Sequence, residues 1–168
     1  MPSRRFVRTM PATRLNPVLR GLFRAPVYLY RWRCGRLLGR RFMLLIHVGR
    51  RTGLRRETVL EVMEYRHEGP EVVVMSAFGP NADWLRNIQA TSGPDVVIGS
   101  RRFTADYRIL GADEAVRVIA GYEQRNRLMA PIIRAVLSRL LGWRYVGSEL
   151  DRRWLVAHLP LVGFRPRQ

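Results

Sequence analysis

Two short segments concentrate the residue types that bind and orient small molecules. The first, Gly49-Arg50-Arg51-Thr52-Gly53-Leu54-Arg55-Arg56, sets four arginines and a hydroxyl into a stretch whose glycines permit a tight turn. Guanidinium groups present paired donors that match phosphate or carboxylate oxygens, and turn amides can complete such a cradle. Four like charges within seven residues repel one another, which favours a bound anion. A solvated basic turn is the other reading of the same residues. The second segment runs Ser76-Ala77-Phe78-Gly79-Pro80-Asn81-Ala82-Asp83-Trp84-Leu85-Arg86-Asn87. A strand ending at Ser76 passes through a Gly-Pro loop into a helix that Asn81 or Asp83 can cap, so free helix amides open on a cleft and suit anionic or carbonyl groups. Trp84 offers a flat wall to an aromatic ring, or it anchors the helix in a core.

Other chemistries are excluded. His47, His67 and His158 are scattered without metal-ligand spacing, and His47, inside an apolar run, reads as a hydrogen-bonded core residue. Ser76 lacks a nucleophile elbow, so a triad with Asp83 and a histidine is not indicated. The single cysteine, Cys34, rules out disulfide scaffolds and Cys-based zinc sites and suggests a reducing compartment. All 30 basic residues are arginine, which excludes Schiff-base lysine chemistry and any lysine-bearing phosphate loop. No catalytic residue and no metal site is assigned.

These segments need a scaffold. The chain has 168 residues, 47% of them hydrophobic, enough to bury a core without staples. Short strands are expected at Phe42–Val48, Thr58–Tyr65, Val72–Ser76, Val96–Ile98 and Arg102–Leu110, with one more drawn from Tyr145–Val146 and Leu155–Phe164. Helices are expected from Asp83 through Thr91, over Asp113–Arg127 and Leu128–Leu141, and from Ser148. The pattern predicts an α+β fold, a small and mainly antiparallel barrel of about six strands flanked by a few helices. Residues 1–40 read as a basic, amphipathic helical segment, with Pro17 in a first turn and Pro26 as a kink. Residues 41–168 read as the barrel domain.

Charge is unevenly placed. Of a formal net charge of +17, the first 56 residues hold 15 arginines and no acid, Glu57 being the first. Such asymmetry suits an anionic partner: a phosphorylated ligand, nucleic acid or a membrane surface. The stretch Leu15–Leu38 can lie on an anionic bilayer or pack on the barrel. No apolar run approaches the ~20 residues of a spanning helix. Arg14, Arg20 and Arg24 interrupt any signal core after Ser3-Arg4-Arg5, so a cytoplasmic location is expected, with the inner face of the membrane as a peripheral site. A basic nucleic-acid-binding protein, or a peripheral membrane protein without catalysis, are the alternatives to an enzyme; no nucleic-acid motif supports the first.

Taken together in this order, His47-Val-Gly-Arg-Arg-Thr-Gly-Leu-Arg-Arg-Glu-Thr-Val-Leu60, the strand ending at Ser76, and Asp83-Trp84-Leu85-Arg86-Asn87 resemble the deazaflavin-dependent nitroreductase family, split β-barrel oxidoreductases that use reduced coenzyme F420. The family pattern is G-R-[KR]-[ST]-G-x-x-R followed by W-[YL]-x-N. The likeness covers about residues 15–112 and includes Asn16-Pro17, Leu19, Arg20 and Tyr30. It implies that Arg50, Arg51, Thr52 and Gly53, with Arg56, hold the coenzyme's phosphate and acidic tail. It implies that Thr58, Val59 and Leu60 line the groove, and that Val74, Met75, Ser76 and Ala77 follow the deazaflavin edge. Asp83, Trp84, Leu85, Arg86 and Asn87 would close over the ring system. Some members carry lysine at the positions of Arg51 and Ala77; Arg51 keeps the charge, whereas Ala77 removes a polar contact. Some barrels of this kind bind FMN or haem, and F420 stands ahead of FMN here. The implied activity is hydride transfer from the reduced deazaflavin to an electron-poor acceptor such as a quinone, enone or nitroaromatic. The proton would come from solvent, Ser76 or Tyr122.

Overall fold

A computed structural model of the chain describes residues 40–168. Six strands form the sheet: β1 (Phe42–Val48), β2 (Arg55–Arg66), β3 (Glu71–Met75), β4 (Asp95–Ile98), β5 (Arg101–Ile109) and β6 (Leu161–Pro166). Four helices accompany them: α1 (Asp83–Ala90), α2 (Ala112–Arg125), α3 (Ala130–Leu141) and α4 (Glu149–His158). The strands close into a barrel in the order β1-β2-β3-β6-β5-β4, every neighbouring pair antiparallel. This is the antiparallel barrel expected from the strand pattern and the α+β split barrel that the resemblance implies. The helical stretch expected over residues 15–38 lies outside the described residues.

Alternation along the strands divides the apolar residues between two cores. Met43 and Leu45 of β1, Val72 and Val74 of β3, and Phe164 of β6 fill the barrel interior. Helix α1 adds Trp84, Leu85 and Ile88 to the same cluster. Val73, Leu161 and Leu155 belong to a second core, with Val118, Ile119 and Tyr122 of α2. Strand β2 serves both. Successive residues point to opposite faces, so Val62 joins the barrel core and Met63 the helical one, as Val72 and Val73 do on β3. The pairing shifts register between Val62 and Glu64, which changes the parity, so that after Leu60 and Val62 it is Tyr65 that packs against the barrel core.

Several local expectations are corrected. Strand β2 begins at Arg55, earlier than Thr58, because Val48 already pairs with Arg55. Ala82 occupies the N-cap of α1, without a side-chain cap from Asn81 or Asp83. Leu155–His158 is helical, and β6 starts only after Pro160. Here Ser148 and Asp151 form a reciprocal capping box that commits the segment to helix. Tyr145–Val146 is no strand. Tyr145 is a buried anchor whose hydroxyl donates to Glu123, while its amide donates to Ser138 Oγ at 2.8 Å.

The far end of β2 is held by a buried carboxylate. Glu71, fully buried at the start of β3, accepts from Arg66 Nη1 at 2.7 Å, Arg108 Nε at 2.7 Å and Arg165 Nε at 3.0 Å. Arg66 and Arg108 also donate to Glu114 of α2 at 2.7 Å. One carboxylate thus gathers β2, β5 and β6 around β3, and a second ties in α2. Burial alone would push the Glu71 carboxyl up, but hydrogen bonds and charge from Arg108 and Arg165 outweigh it and hold it below its ordinary range. Arg108 draws the Glu114 carboxyl down to about 2. Gly163 is required beside them, because a Cβ there would stand 2.5 Å from Glu71 Oε1. Glu71→Ala is expected to lower folding stability by about 3–5 kcal/mol, as removal of one partner of a buried ion pair does. Gly163→Ala should shift stability in the same direction. Carboxyls held below their ordinary range lose their contribution as pH falls, so wild-type stability should decline from about pH 4.5 towards pH 2. Denaturant titration across that window checks both points, and an unchanged midpoint for Glu71→Ala would refute the keystone role.

Candidate functional site

The β1–β2 turn is built from its own backbone bonds. Gly49 N–H donates to Leu54 O at 2.8 Å, and the amides of Thr52 and Gly53 donate to Gly49 O at 3.1 and 2.8 Å. Gly53 closes the turn at φ +66°, a conformation that favours glycine. Arg50 N–H donates to Asn87 Oδ1 at 3.1 Å. The amides expected to help cradle an anion are therefore largely engaged within the fold. The guanidinium groups remain for that task, and they divide.

Arg50 is a clamp. Its Nη1 and Nη2 each donate to Asp83 Oδ1 at 3.1 Å, and Nη1 also donates to Asn87 Oδ1 at 2.9 Å. These bonds fasten the turn to the first two turns of α1. The helix docks there because Trp84, Leu85 and Ile88 share one buried face, leaving Asp83 outward and Asn87 facing the turn. Arg51 and Arg56 are exposed and have no ion pair among the described residues.

Asn87 carries the clamp inward. With Oδ1 occupied by Arg50, its Nδ2 faces His47 Nδ1 at 3.3 Å. An amide nitrogen only donates, so Nδ1 accepts and the proton of neutral His47 sits on Nε2. That Nε2–H donates to Thr58 Oγ1 at 3.2 Å. His47 is 5% exposed. Burial lowers its pKa below the ordinary value, the charge of Arg56 acts the same way, and a backbone hydrogen bond at Val48 only partly opposes them.

A cavity of about 410 Å³ opens between the turn, β2 and α1, in the size range of small-molecule sites. Eight residues singled out in the sequence line it: Arg50, Arg51, Thr52, Arg56, Thr58, Asp83, Trp84 and Asn87. Trp84 proves to be both wall and anchor, packed against Phe164 with ring centroids 6.4 Å apart. The other candidates lie elsewhere. Gly53 shapes the turn, Val59 and Leu60 are half-buried along β2, Leu85 is in the barrel core and Arg86 is exposed. Val74 is wholly buried in that core, Met75 packs against the helical one, and neither Ser76 nor Ala77 lines the cavity. Ser76 Oγ donates to Gly79 O at 2.6 Å, and Tyr122 donates to Glu61 at 2.7 Å in the other core, so neither hydroxyl expected to supply a proton is presented there. Sequence reasoning missed His47, Gly49 and Glu57 as lining residues. A histidine on an otherwise apolar strand was the available signal. Among the described residues no group of three or more histidine, cysteine or acidic side chains could hold a metal.

A family model described as F420H(2)-dependent quinone reductase matches residues 23–131. No curated protein matches the sequence. Among solved structures, a protein of unknown function from Agrobacterium tumefaciens is similar at a TM-score of 0.50 and 15% identity, over 86% of this chain and 56% of that one. A structure titled as an F420-H2 dependent reductase is similar at 0.44 and 15%, over 76% of this chain and 96% of that one. The heme storage protein HutZ from Vibrio cholerae is similar at 0.47 and 15%, over 83% and 89%.

The role of Asn87 can be tested without any ligand. Asn87→Leu leaves the Arg50 amide and His47 Nδ1 without their partner, and an unmet buried polar group costs about 1–3 kcal/mol. A stability loss of about 2 kcal/mol is expected by denaturant titration. A loss below 0.5 kcal/mol would show that the turn holds α1 without this bond.

Proposed function

The chain belongs to the F420H(2)-dependent quinone reductase family, and we propose that the cavity between the β1–β2 turn and α1 is where it holds coenzyme F420 and meets a quinone-type acceptor. The protein is an oxidoreductase with coenzyme F420 as its cofactor. The observation that carries the placement is the pair of unpaired guanidinium groups, Arg51 and Arg56, at a cavity whose remaining charges are already matched. Arg50 is paired with Asp83 at 3.1 Å and Glu57 with Arg55 at 3.3 Å. The donor set suits an acidic aromatic cofactor: two cations without an ion pair among the described residues and Thr52 near the turn, with Trp84 and neutral polar groups deeper in.

When bound in reduced form, the cofactor supplies the hydride that the acceptor takes up. Arg51 and Arg56 bind the acidic portion, with Thr52 beside them. Arg50, Asp83 and Asn87 hold the wall rigid, and Trp84 and Thr58 orient what lies against it. Leu60, Val74 and Leu85 pack with Trp84 in the barrel core. The proton reaches the acceptor from solvent through the open mouth, where Arg51, Thr52 and Arg56 are exposed. A quinone is the acceptor favoured by the family; enones and nitroaromatics share its electron-poor character.

Titration with F420 should show binding to the wild type. Arg51→Ala with Arg56→Ala should weaken it at least tenfold at low salt, with a smaller gap at high salt, because ionic contacts are screened. Reduced F420 should be oxidised by a soluble quinone in the presence of the enzyme, with enone and nitroaromatic compounds run alongside. Absence of F420 binding would end this reading.

We further infer that α3 and the basic segment, residues 1–40, rest on an anionic membrane surface. No helix of the described residues is long and apolar enough to cross a membrane. Yet Leu128, Met129, Ile132 and Val136 are exposed, with Leu128 at 90% and Ile132 at 58%. Residues 124–148 contain five arginines and no acid, and residues 1–40 add ten arginines. Exposed apolar side chains beside unopposed arginines suit an interfacial helix. The protein should float with vesicles containing phosphatidylglycerol but not with neutral ones. Ile132→Glu with Val136→Glu should reduce the floating fraction, and equal flotation of that variant would refute the role of α3.

A further inference from the structure

The hydrogen bonds behind the cavity wall run in one direction. Arg50 donates to Asn87 Oδ1, Asn87 Nδ2 donates to His47 Nδ1, and His47 Nε2 donates to Thr58 Oγ1. A cation that can only donate stands at the head, so the sense of every later bond is set. Thr58 Oγ1 receives its bond on a lone pair. Its own proton has no acceptor among the described residues, and Thr58 lines the cavity. With the opposite tautomer, His47 Nε2 would draw in the Thr58 proton, and the hydroxyl would offer only lone pairs to a bound molecule.

We propose that His47 is a positioning residue that fixes the Thr58 hydroxyl as a hydrogen-bond donor to an oxygen of the bound cofactor. This rests on the reading of the cavity as the F420 site. His47 acts through Thr58 and is not itself a catalytic residue. Protonation of His47 breaks the chain, because Nδ1–H would then confront the Asn87 amino group, donor against donor. Turning the Asn87 amide to accept that proton would set its amino group against Arg50. The charged groups around His47 are Arg56 opposite it on β2, Arg50 and Arg51 of the turn, Asp83 of α1, Glu57 of β2, and Asp95 of β4 opposite Ile46. Arg50 is matched by Asp83 and Asp95 by Arg102, so the uncompensated neighbours are cations and disfavour the charged ring.

A charged ring would still donate from Nε2 to Thr58, so protonation alone leaves the Thr58 hydroxyl a donor, and it is the neutral tautomer fixed by Asn87 that sets its sense.

Two measurements on the full chain decide. Nitrogen-15 spectra of the histidine rings in the cofactor-free protein should show one residue, absent from His47→Gln, as the neutral Nε2–H tautomer. In F420 titrations Thr58→Val should bind about tenfold more weakly, the loss of one hydrogen bond, and Thr58→Ser should restore binding. His47→Phe should match Thr58→Val, and the double variant should be no weaker than either alone. His47→Gln, whose amide can accept from Asn87 and donate to Thr58, should bind like the wild type. An Nδ1–H tautomer, or additive losses in the double variant, would overturn the proposal. Failure of the wild type to bind F420 would overturn both it and the cavity reading. F420 binding with an indifferent Thr58→Val would overturn this proposal alone.

Discussion

A fully buried glutamate with three arginines converging on it is the constraint around which the barrel is assembled. Glu71 draws Arg66, Arg108 and Arg165 from three strands to the start of a fourth. An isolated carboxylate could not remain charged there, so the arginines and the acid each require the others. The cluster also dictates an absence, since Gly163 must carry no side chain beside the carboxylate. Once β2 is pinned at Arg66, the bulge near Met63 sets which of its residues face the barrel and which face the helices. Its opposite end, at Arg55 to Thr58, is left to make the cavity.

Arginine performs three different jobs in this chain, and a count of charge does not separate them. At Glu71 and Glu114 the planar fork bridges two acids at once, a geometry that the point charge of lysine does not reproduce. Arg50 uses the same fork to hold Asp83 and Asn87 together. Within the turn, Arg51 and Arg56 have no ion pair among the described residues. The cluster at positions 50–56 is thus one structural clamp followed by free cations, with Arg55 leaning on Glu57. Its mutual repulsion is relieved partly by acids of the fold and leaves a smaller remainder for a ligand.

The strands that alternate cleanly were legible from sequence, as were the paired segments that form the cavity. Phe42–Val48 and the hairpin near Gly99 declare themselves through local pattern and turn residues. The errors arise both where a distant strand decides and where a short-range side-chain hydrogen bond overrides composition. The bulge on β2 is invisible until β3 is placed beside it. Leu155–His158 has strand-like composition, but Ser148 and Asp151 had already started a helix. Ser76 looked like a free hydroxyl at a loop, although the Gly79 carbonyl three residues on engages it. His47 was read correctly as a buried, hydrogen-bonded residue; that its partners make it part of a cavity wall depends on Asn87, 40 residues away. Types and spacing picked out eight of the residues that line the cavity, whereas the direction of its hydrogen bonds is a property of the folded arrangement.

That direction explains how charge and neutrality are distributed by depth. Arg51 and Arg56 stand exposed, where a cation keeps its hydration and still attracts an anion over a Debye length of about 8–10 Å. His47 and Asn87, at 5% and 6% exposure, are neutral. Placing cations that deep would incur a desolvation cost that no acid of the wall is free to offset, since Asp83 and Glu57 already have partners. Neutral groups avoid that cost but are ambiguous, because an amide, an imidazole and a hydroxyl can each be turned round. Arg50 removes the ambiguity: a guanidinium does not give up its proton, Asp83 pairs with it, and it is close enough to fix Asn87. Long-range attraction is left to the mouth, and orientation is set by neutral donors whose sense is borrowed from a cation that no ligand needs to touch.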